Sequence, residues 1–209
     1  MAKEQRQERE REFRVNTILG VANKLFDEKG YSATTLEEIA DRAELGRATL
    51  YYYFKNKEEL YVRLLERNFD QMIPLYLQRI DLNAVFSDQI RAFLKIHAEH
   101  YLINRKTFML FYLQKHRVHL NLDKEQSERL TAKTNEFFKI ILGIFRKGVE
   151  EGVLESGSAY DLAKKFWALV MGITFQQETN CLKDSLFKEL VSTTDIFLRG
   201  VNSFAVLAG

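Results

Sequence analysis

The chain has 209 residues, 46% of them hydrophobic, with one Pro, one Cys and a formal net charge of +2. That length suits one large domain or two small ones with a sizeable core, and the scarcity of Pro and Gly points to long helices. A single Cys excludes an internal disulfide framework, the charged N-terminus is no secretory signal, and no apolar run is long enough to span a bilayer, so the expected location is the cytoplasm.

Charge is a weak guide to partners. Residues 1–60 hold 11 Lys/Arg against 12 Asp/Glu, whereas a nucleic-acid binder normally shows a basic footprint. Any such footprint must be local, and residues 45–57 supply one, with Arg47, Lys55 and Lys57 and no acid. Residues 3–14 alternate Lys/Arg with Glu. Arg6–Glu10 and Glu10–Arg14 are opposite-sign i,i+4 pairs, which reads as a solvated helical arm. An arm touching DNA through Arg6, Arg9 or Arg11 is the functional alternative, and the interleaved glutamates oppose it.

Residues 14–29 place Val15, Ile18, Ala22, Leu25 and Phe26 at helical spacing, with Gly30 as the stop. Residues 35–57 read as two short helices around a tight turn. Thr35 and Glu38 form a capping box, and Leu36, Ile39, Ala40 and Ala43 share one face of the first helix. Small Ala40 lets a second helix cross closely, as a helix-turn-helix requires. The pattern breaks at Glu44-Leu45-Gly46 and resumes at Arg47. On the second helix Arg47, Ala48, Tyr51, Tyr52 and Lys55 share a broad arc opposite Leu50, with Phe54 near the boundary. An exposed face of Arg, two Tyr and Lys suits a phosphate-rich groove. A solvated helix whose tyrosines pack on a neighbour is the plainer alternative.

Asn56 with Glu59 opens the next helix, which carries Leu60, Leu64, Leu65, Phe69, Met72 and Ile73. Pro74 must kink or end it, because it lacks an N–H. Helical apolar spacing continues through 86–103, 106–118, 124–151, a Ser158-capped helix with Asp161 at the box position, and a last helix near 185–206. There is no strand-like alternation and no internal repeat. The last two helices are apolar on more than one stripe, which favours burial against a second chain as a four-helix bundle.

Ile18-Leu19-Gly20-Val21-Ala22, Leu25-Phe26, Lys29-Gly30-Tyr31, Ala33-Thr34-Thr35, Ile39-Ala40, Ala43, Thr49-Leu50-Tyr51 and Tyr53-Phe54-Lys55-Asn56-Lys57-Glu58-Glu59-Leu60 resemble the TetR family of bacterial transcriptional regulators. The resemblance implies an all-α chain. A three-helix DNA-binding domain would cover 12–72, with its motif at 35–54, and a helical effector-binding and dimerisation domain would cover 73–209. It implies a homodimer formed through the last two helices. Such a dimer binds a pseudo-palindromic operator in double-stranded DNA as a repressor and is released by a small molecule. Carried over residue by residue, Thr35 would touch phosphate, Arg47, Ala48, Thr49, Tyr51 and Tyr52 would lie at the groove, and Tyr53 and Lys57 would approach the backbone. Three positions depart from the family pattern. Glu44 stands in the turn where Gly is usual, Gly46 where Ser or Thr is usual, and Ala48 where Gly is common.

The effector pocket is less sharply marked. His97, Tyr101, Phe108, Phe111, Tyr112, Phe138, Phe145, Trp167, Met171 and Phe175 are candidates, and Tyr76 joins them. Aromatic positions at helical spacing also fill any core. With 16 Phe and 9 Tyr in the chain, a lipophilic or aromatic effector is favoured over a polar one, oriented by His97, Gln176 or Gln177. His97–His100 and His116–His119 each share a helix face, but a metal would need a third ligand such as Glu99 or Cys181, and no spacing converges on one. No metal or other cofactor is expected. Nor is an enzyme, since there is no Gly-rich phosphate loop, H-E-x-x-H or G-x-S-x-G. The remaining competitor is a helical ligand-binding or scaffold protein with a degenerate helix-turn-helix.

Overall fold

The computed structural model describes residues 2–119, 121–154, 158–178 and 184–203, excepting the side chains of 2, 111–117, 119, 202 and 203. These residues form eight helices, with no strand among them: α1 (Ala2–Lys29), α2 (Leu36–Arg42), α3 (Arg47–Tyr53), α4 (Lys57–Arg79), α5 (Phe86–His119), α6 (Lys124–Glu150), α7 (Ala159–Glu178) and α8 (Leu186–Ser203). The all-helical class expected from spacing is what the chain adopts.

Two compact units divide the chain. One comprises residues 1–70 and 104–133, the other 71–103 and 134–209. The first division falls at Asp70, two residues short of the expected boundary. Residues 104–133, expected with the C-terminal domain, cluster with the first unit instead. Pro74 neither ends nor interrupts α4, which runs on to Arg79. Its missing N–H leaves the carbonyl of Asp70 without a helical donor, and this is where one unit gives way to the other. The two segments expected at 86–103 and 106–118 are the two arms of α5, which meet at a kink where Asn104 has non-helical backbone (φ −111°, ψ 23°).

In the first unit, Ile18, Leu19, Ala22, Leu25 and Phe26 of α1 are buried with Ile39 and Ala40 of α2, Leu50 of α3, Phe54, and Leu60, Tyr61, Leu64 and Leu65 of α4. Ala40 is fully buried, as close crossing of α2 and α3 demands. The α1–α2 loop begins at Gly30 (φ 85°), whose N–H donates to the Phe26 carbonyl at 2.9 Å.

Two helices end in the same hydrogen-bond pattern with different residues. At the end of α6, Gly152 N–H donates to Val149 and Val153 N–H to Gly148, with Gly152 at φ 69°. At the end of α2, Glu44 N–H donates to Asp41 and Leu45 N–H to Ala40, with Glu44 at φ 55°. Both are Schellman closures, which place one residue in the left-handed region. Glycine occupies it at no steric cost at position 152. Glu44 does so against its own Cβ, at about 1 kcal/mol. The turn therefore keeps its shape despite the departure from glycine. Gly46 then caps α3 in extended conformation with no side-chain hydrogen bond.

The second unit is built on rings. Tyr76, Phe86, Phe93, Phe145 and Phe166 are fully buried. Tyr76 lies 5.0 Å from Phe93 and 5.2 Å from Phe137, and Phe93 lies 5.7 Å from Phe166. Ser158 Oγ accepts the N–H of Asp161 at 3.3 Å and starts α7, and α7 packs along α8.

Candidate nucleic-acid interface

Thr35 is the N-cap of α2, and its hydroxyl accepts the N–H of Glu38 at 3.2 Å. The other half of the expected capping box is not the role of Glu38. Its carboxylate pairs with Lys29 and, with the Arg42–Glu28 pair, fastens α2 to α1. Leu50 at 0% exposure and Phe54 at 1% anchor α3 in the core. Their burial turns Arg47, Ala48, Thr49, Tyr51 and Tyr52 outward, and all five are exposed. Tyr52 is 78% exposed, unusually open for a large ring. Tyr53 is half-buried and packs edge-on against Tyr52 with ring centres 5.1 Å apart.

The face is less purely basic than the sequence suggests, because acids arrive from other helices. Tyr51 donates its hydroxyl hydrogen to Glu37 Oε1 of α2 at 3.2 Å, which pushes the phenol above its ordinary pKa. Lys55 Nζ lies 2.5 Å from Asp123 Oδ2, a hydrogen bond that raises the ammonium pKa. Lys55 also sits beyond α3. Phe54 is an extended C-cap (φ −137°, ψ 112°), so the helical arc that placed Lys55 beside Tyr52 does not reach it.

Lys57 departs furthest from expectation. Its ammonium donates to the carbonyls of Tyr31 (2.8 Å), Thr34 (2.9 Å) and Ser32 (3.4 Å) and lies 4.4 Å over the Tyr31 ring. Burial lowers its pKa. All three of its N–H groups are turned inward, so in this form Lys57 holds the α1–α2 loop that delivers Thr35. A loop carbonyl has no residue-type signature, so sequence spacing could not disclose these partners.

A polar seam runs along α4 behind the motif. Asn56 Oδ1 accepts Glu59 N–H at 2.8 Å and so caps α4. Gln126, fully buried, donates to Asn56 Oδ1 (3.1 Å) and Glu59 Oε2 (3.2 Å). Arg129 grips both oxygens of Glu66 at 2.8 Å and reaches Glu59 at 2.9 Å, and Lys133 pairs with Asp70 at 2.5 Å. The periodicity of α6 shows that one face carries Gln126, Arg129 and Lys133, but not which helix they meet.

In the second unit the expected effector residues separate. His97 is fully buried, stacks on Phe93 and stands edge-on to Trp167. Thr174 donates its hydroxyl hydrogen to the Val170 carbonyl at 2.7 Å, so its oxygen must accept from His97 Nε2–H at 2.9 Å. Nδ1 then accepts from the Tyr76 hydroxyl at 3.3 Å. This fixes the neutral tautomer, and burial pushes the imidazole pKa down to about 3. Both ring nitrogens are thereby engaged by Tyr76 and Thr174. Tyr101 hydrogen-bonds Glu178, and Phe145 packs on Phe166. Trp167 is half-buried against Phe137, and Met171 and Phe175 are half-buried on the same helix. Phe138 instead packs on Tyr160, and Phe108 belongs to the first unit. The side chains of Phe111, Tyr112, His116 and His119, and all of Cys181, lie outside the described residues. Among the described residues no three His, Cys, Asp or Glu are grouped to hold a metal, and no helix is long and apolar enough to cross a membrane. Thr174 and Glu178 escaped sequence reasoning because neither is aromatic.

Known proteins share this architecture. Residues 18–64 match the family described as bacterial regulatory proteins, tetR family. The biofilm operon negative transcriptional regulator IcaR of Staphylococcus epidermidis is 41% identical over 66 residues, 32% of this chain. That alignment spans 36% of the relative, about a third of its length. The uncharacterized HTH-type transcriptional regulator YhgD of Bacillus subtilis is 28% identical over 163 residues, 76% of this chain and 78% of that protein. The structure of transcriptional regulator FadR from Bacillus subtilis, in complex with stearoyl-CoA, superposes with TM-score 0.74 at 19% identity, over 88% of this chain and 98% of that one. Residues 18–64 thus carry a segment of the tetR family of bacterial regulatory proteins, and the helical fold is the one seen in the FadR structure.

Proposed function

We propose that the chain acts as a homodimeric repressor, binding a pseudo-palindromic operator through α3 and leaving it when a lipophilic effector binds the second unit. The observation that carries the DNA half is the α3 face, where Arg47, Ala48, Thr49, Tyr51 and Tyr52 stand in solvent because Leu50 and Phe54 are locked in the core. Residues 12–72 form the reading domain and 73–209 the effector and dimerisation domain, with residues 104–133 contributing to the first unit. Two recognition helices one helical turn apart, about 34–36 Å, fit successive major grooves. Thr35 and the N–H groups opening α4 supply backbone contacts, and Tyr53 buttresses Tyr52. Lys57 reaches phosphate only by releasing a loop carbonyl.

Dimerisation through α7 and α8 is supported by their exposed apolar side chains, Tyr160 at 53%, Leu169 at 38% and Ile196 at 70%. Exposed apolar surface of this kind marks an interaction site. The effector reading rests on the cluster of Phe93, His97, Phe137, Phe145, Phe166 and Trp167, with Met171 and Phe175 half-buried on the helix of Trp167 and Tyr101 buried on that of His97. FadR, which shares the fold, was crystallised with stearoyl-CoA, so a long-chain acyl thioester is the first effector to try.

The test is a fluorescence-anisotropy titration against DNA from upstream of the chain's own gene. Arg47→Ala and Tyr52→Ala should each weaken specific binding while leaving the circular-dichroism melt unchanged. If both variants bind like the parent, α3 does not read the operator. Stearoyl-CoA should raise the melting temperature and release the DNA. A rise in melting temperature with no release would refute the coupling.

A further inference from the structure

Lys55 and Asp123 form an ion pair that does little for the fold. Their side chains are 50% and 44% exposed, and exposed pairs contribute little to stability. The two partners differ in freedom. Asp123 is fixed, because its Oδ1 accepts Gln126 N–H at 2.9 Å while its own N–H donates to Gln126 Oε1 at 3.1 Å. This reciprocal cap starts α6 and aims Oδ2 outward. Lys55 has a long flexible stem and follows directly on Phe54, the C-cap of the recognition helix. A rigid carboxylate therefore occupies a long-stemmed ammonium one residue past the C-cap of α3.

Resting on the DNA-binding reading above, we propose that Lys55 is a phosphate contact held in reserve by Asp123, which competes with the DNA backbone for it and suppresses sequence-independent binding. The competition follows from counterion release. Affinity for duplex DNA depends on salt with a slope near −0.9 per phosphate neutralised. A lysine already neutralised by an internal carboxylate adds little to that slope, because one anion replaces another. A lysine freed from its carboxylate adds a full contact. At a cognate operator the other contacts hold the phosphate in place and the exchange completes. On random DNA they do not.

The experiment uses the full chain and a 24-base-pair duplex of mixed sequence without an inverted repeat, titrated by anisotropy between 50 and 300 mM KCl. Asp123→Asn keeps the helix cap, since Asn caps about as well as Asp, and circular dichroism verifies the fold. It should tighten binding at 50 mM by roughly 3- to 10-fold and steepen the salt slope by about 1 per protomer. Asp184→Asn, an exposed member of a different pair, makes the same change in net charge and should do neither. In a Lys55→Gln background, Asp123→Asn should have no effect. The proposal is overturned if Asp123→Asn matches Asp184→Asn, or if its effect survives in the Lys55→Gln background. If no variant, and not the parent, binds the duplex or the upstream DNA at 50 mM, the DNA-binding reading falls and the latch falls with it.

Discussion

Replacing Arg129 with Met should destabilise the first unit by about 2–3 kcal/mol. Arg129 is 24% exposed and bridges Glu59 and Glu66, whose side chains are 9% and 13% exposed. Breaking a fully buried ion pair costs about 3–5 kcal/mol, because the surviving charge stays desolvated, whereas an exposed pair contributes at most about 1. The loss falls unequally on the two carboxylates. Glu59 keeps Arg63 at 3.2 Å and the Gln126 amide at 3.2 Å, but among the described residues Glu66 retains only Arg63 at 3.7 Å. One carboxylate is thus rescued and the other nearly abandoned, which places the cost between the limits. Met preserves the apolar stem, so lost packing does not account for the effect. Urea unfolding at pH 7, followed at 222 nm, reads the change. A double-mutant cycle with Glu66→Gln should return a coupling of about 1–3 kcal/mol. A loss below about 0.5 kcal/mol, or a coupling near zero, would refute the view that this seam is fastened by charge.

Two further predictions follow from single residues. Glu44→Gly should stabilise the protein by up to about 1 kcal/mol, because glycine takes φ 55° without a Cβ clash; destabilisation in urea titrations would show that the Glu44 side chain has a stabilising role. His97 has a folded pKa near 3 against an ordinary 6.5, so below pH 6.5 the unfolded chain takes up a proton that the folded chain refuses. Stability from this group is complete above pH 6.5 and is lost steadily as pH falls toward 3, about 1.4 kcal/mol from pH 7.5 to 5.5. His97→Gln should abolish that part of the slope while lowering overall stability, and an unchanged pH dependence in the variant would place the titration elsewhere.

The helices and the outward face of α3 were legible because local rules govern them. Gly30 and Gly152 stop helices, Thr35, Asn56 and Ser158 cap them, and the 3.6-residue period points Leu50 inward and Arg47 outward. What the sequence concealed is pairwise and long-range. Asp123 lies 68 positions from Lys55, and nothing in either neighbourhood announces the other, so the face reads as free of acid until the chain folds. The partners of Lys57 were hidden for the same reason, since they are backbone carbonyls. The candidate effector residues divided because an aromatic residue at helical spacing fills a core and lines a pocket equally well. Phe138 against Tyr160 and His97 against Trp167 differ only in which helix face meets which.

The divisions of the chain at 70 and 133 fall within the helices α4 and α6, and the one at 103 falls at the Asn104 kink of α5, so none lies in a linker. The first unit is therefore not a cassette. A fragment cut after residue 72 would lose Gln126, Arg129 and Lys133, leaving Glu59 and Glu66 without Arg129 and exposing the α4 flank that buries Gln126. Chimeras that graft residues 1–70 onto another chain should carry 104–133 with them, or redesign the α4 flank. A single crossover after residue 72 would therefore separate Glu59 and Glu66 from Arg129, and Asp70 from Lys133.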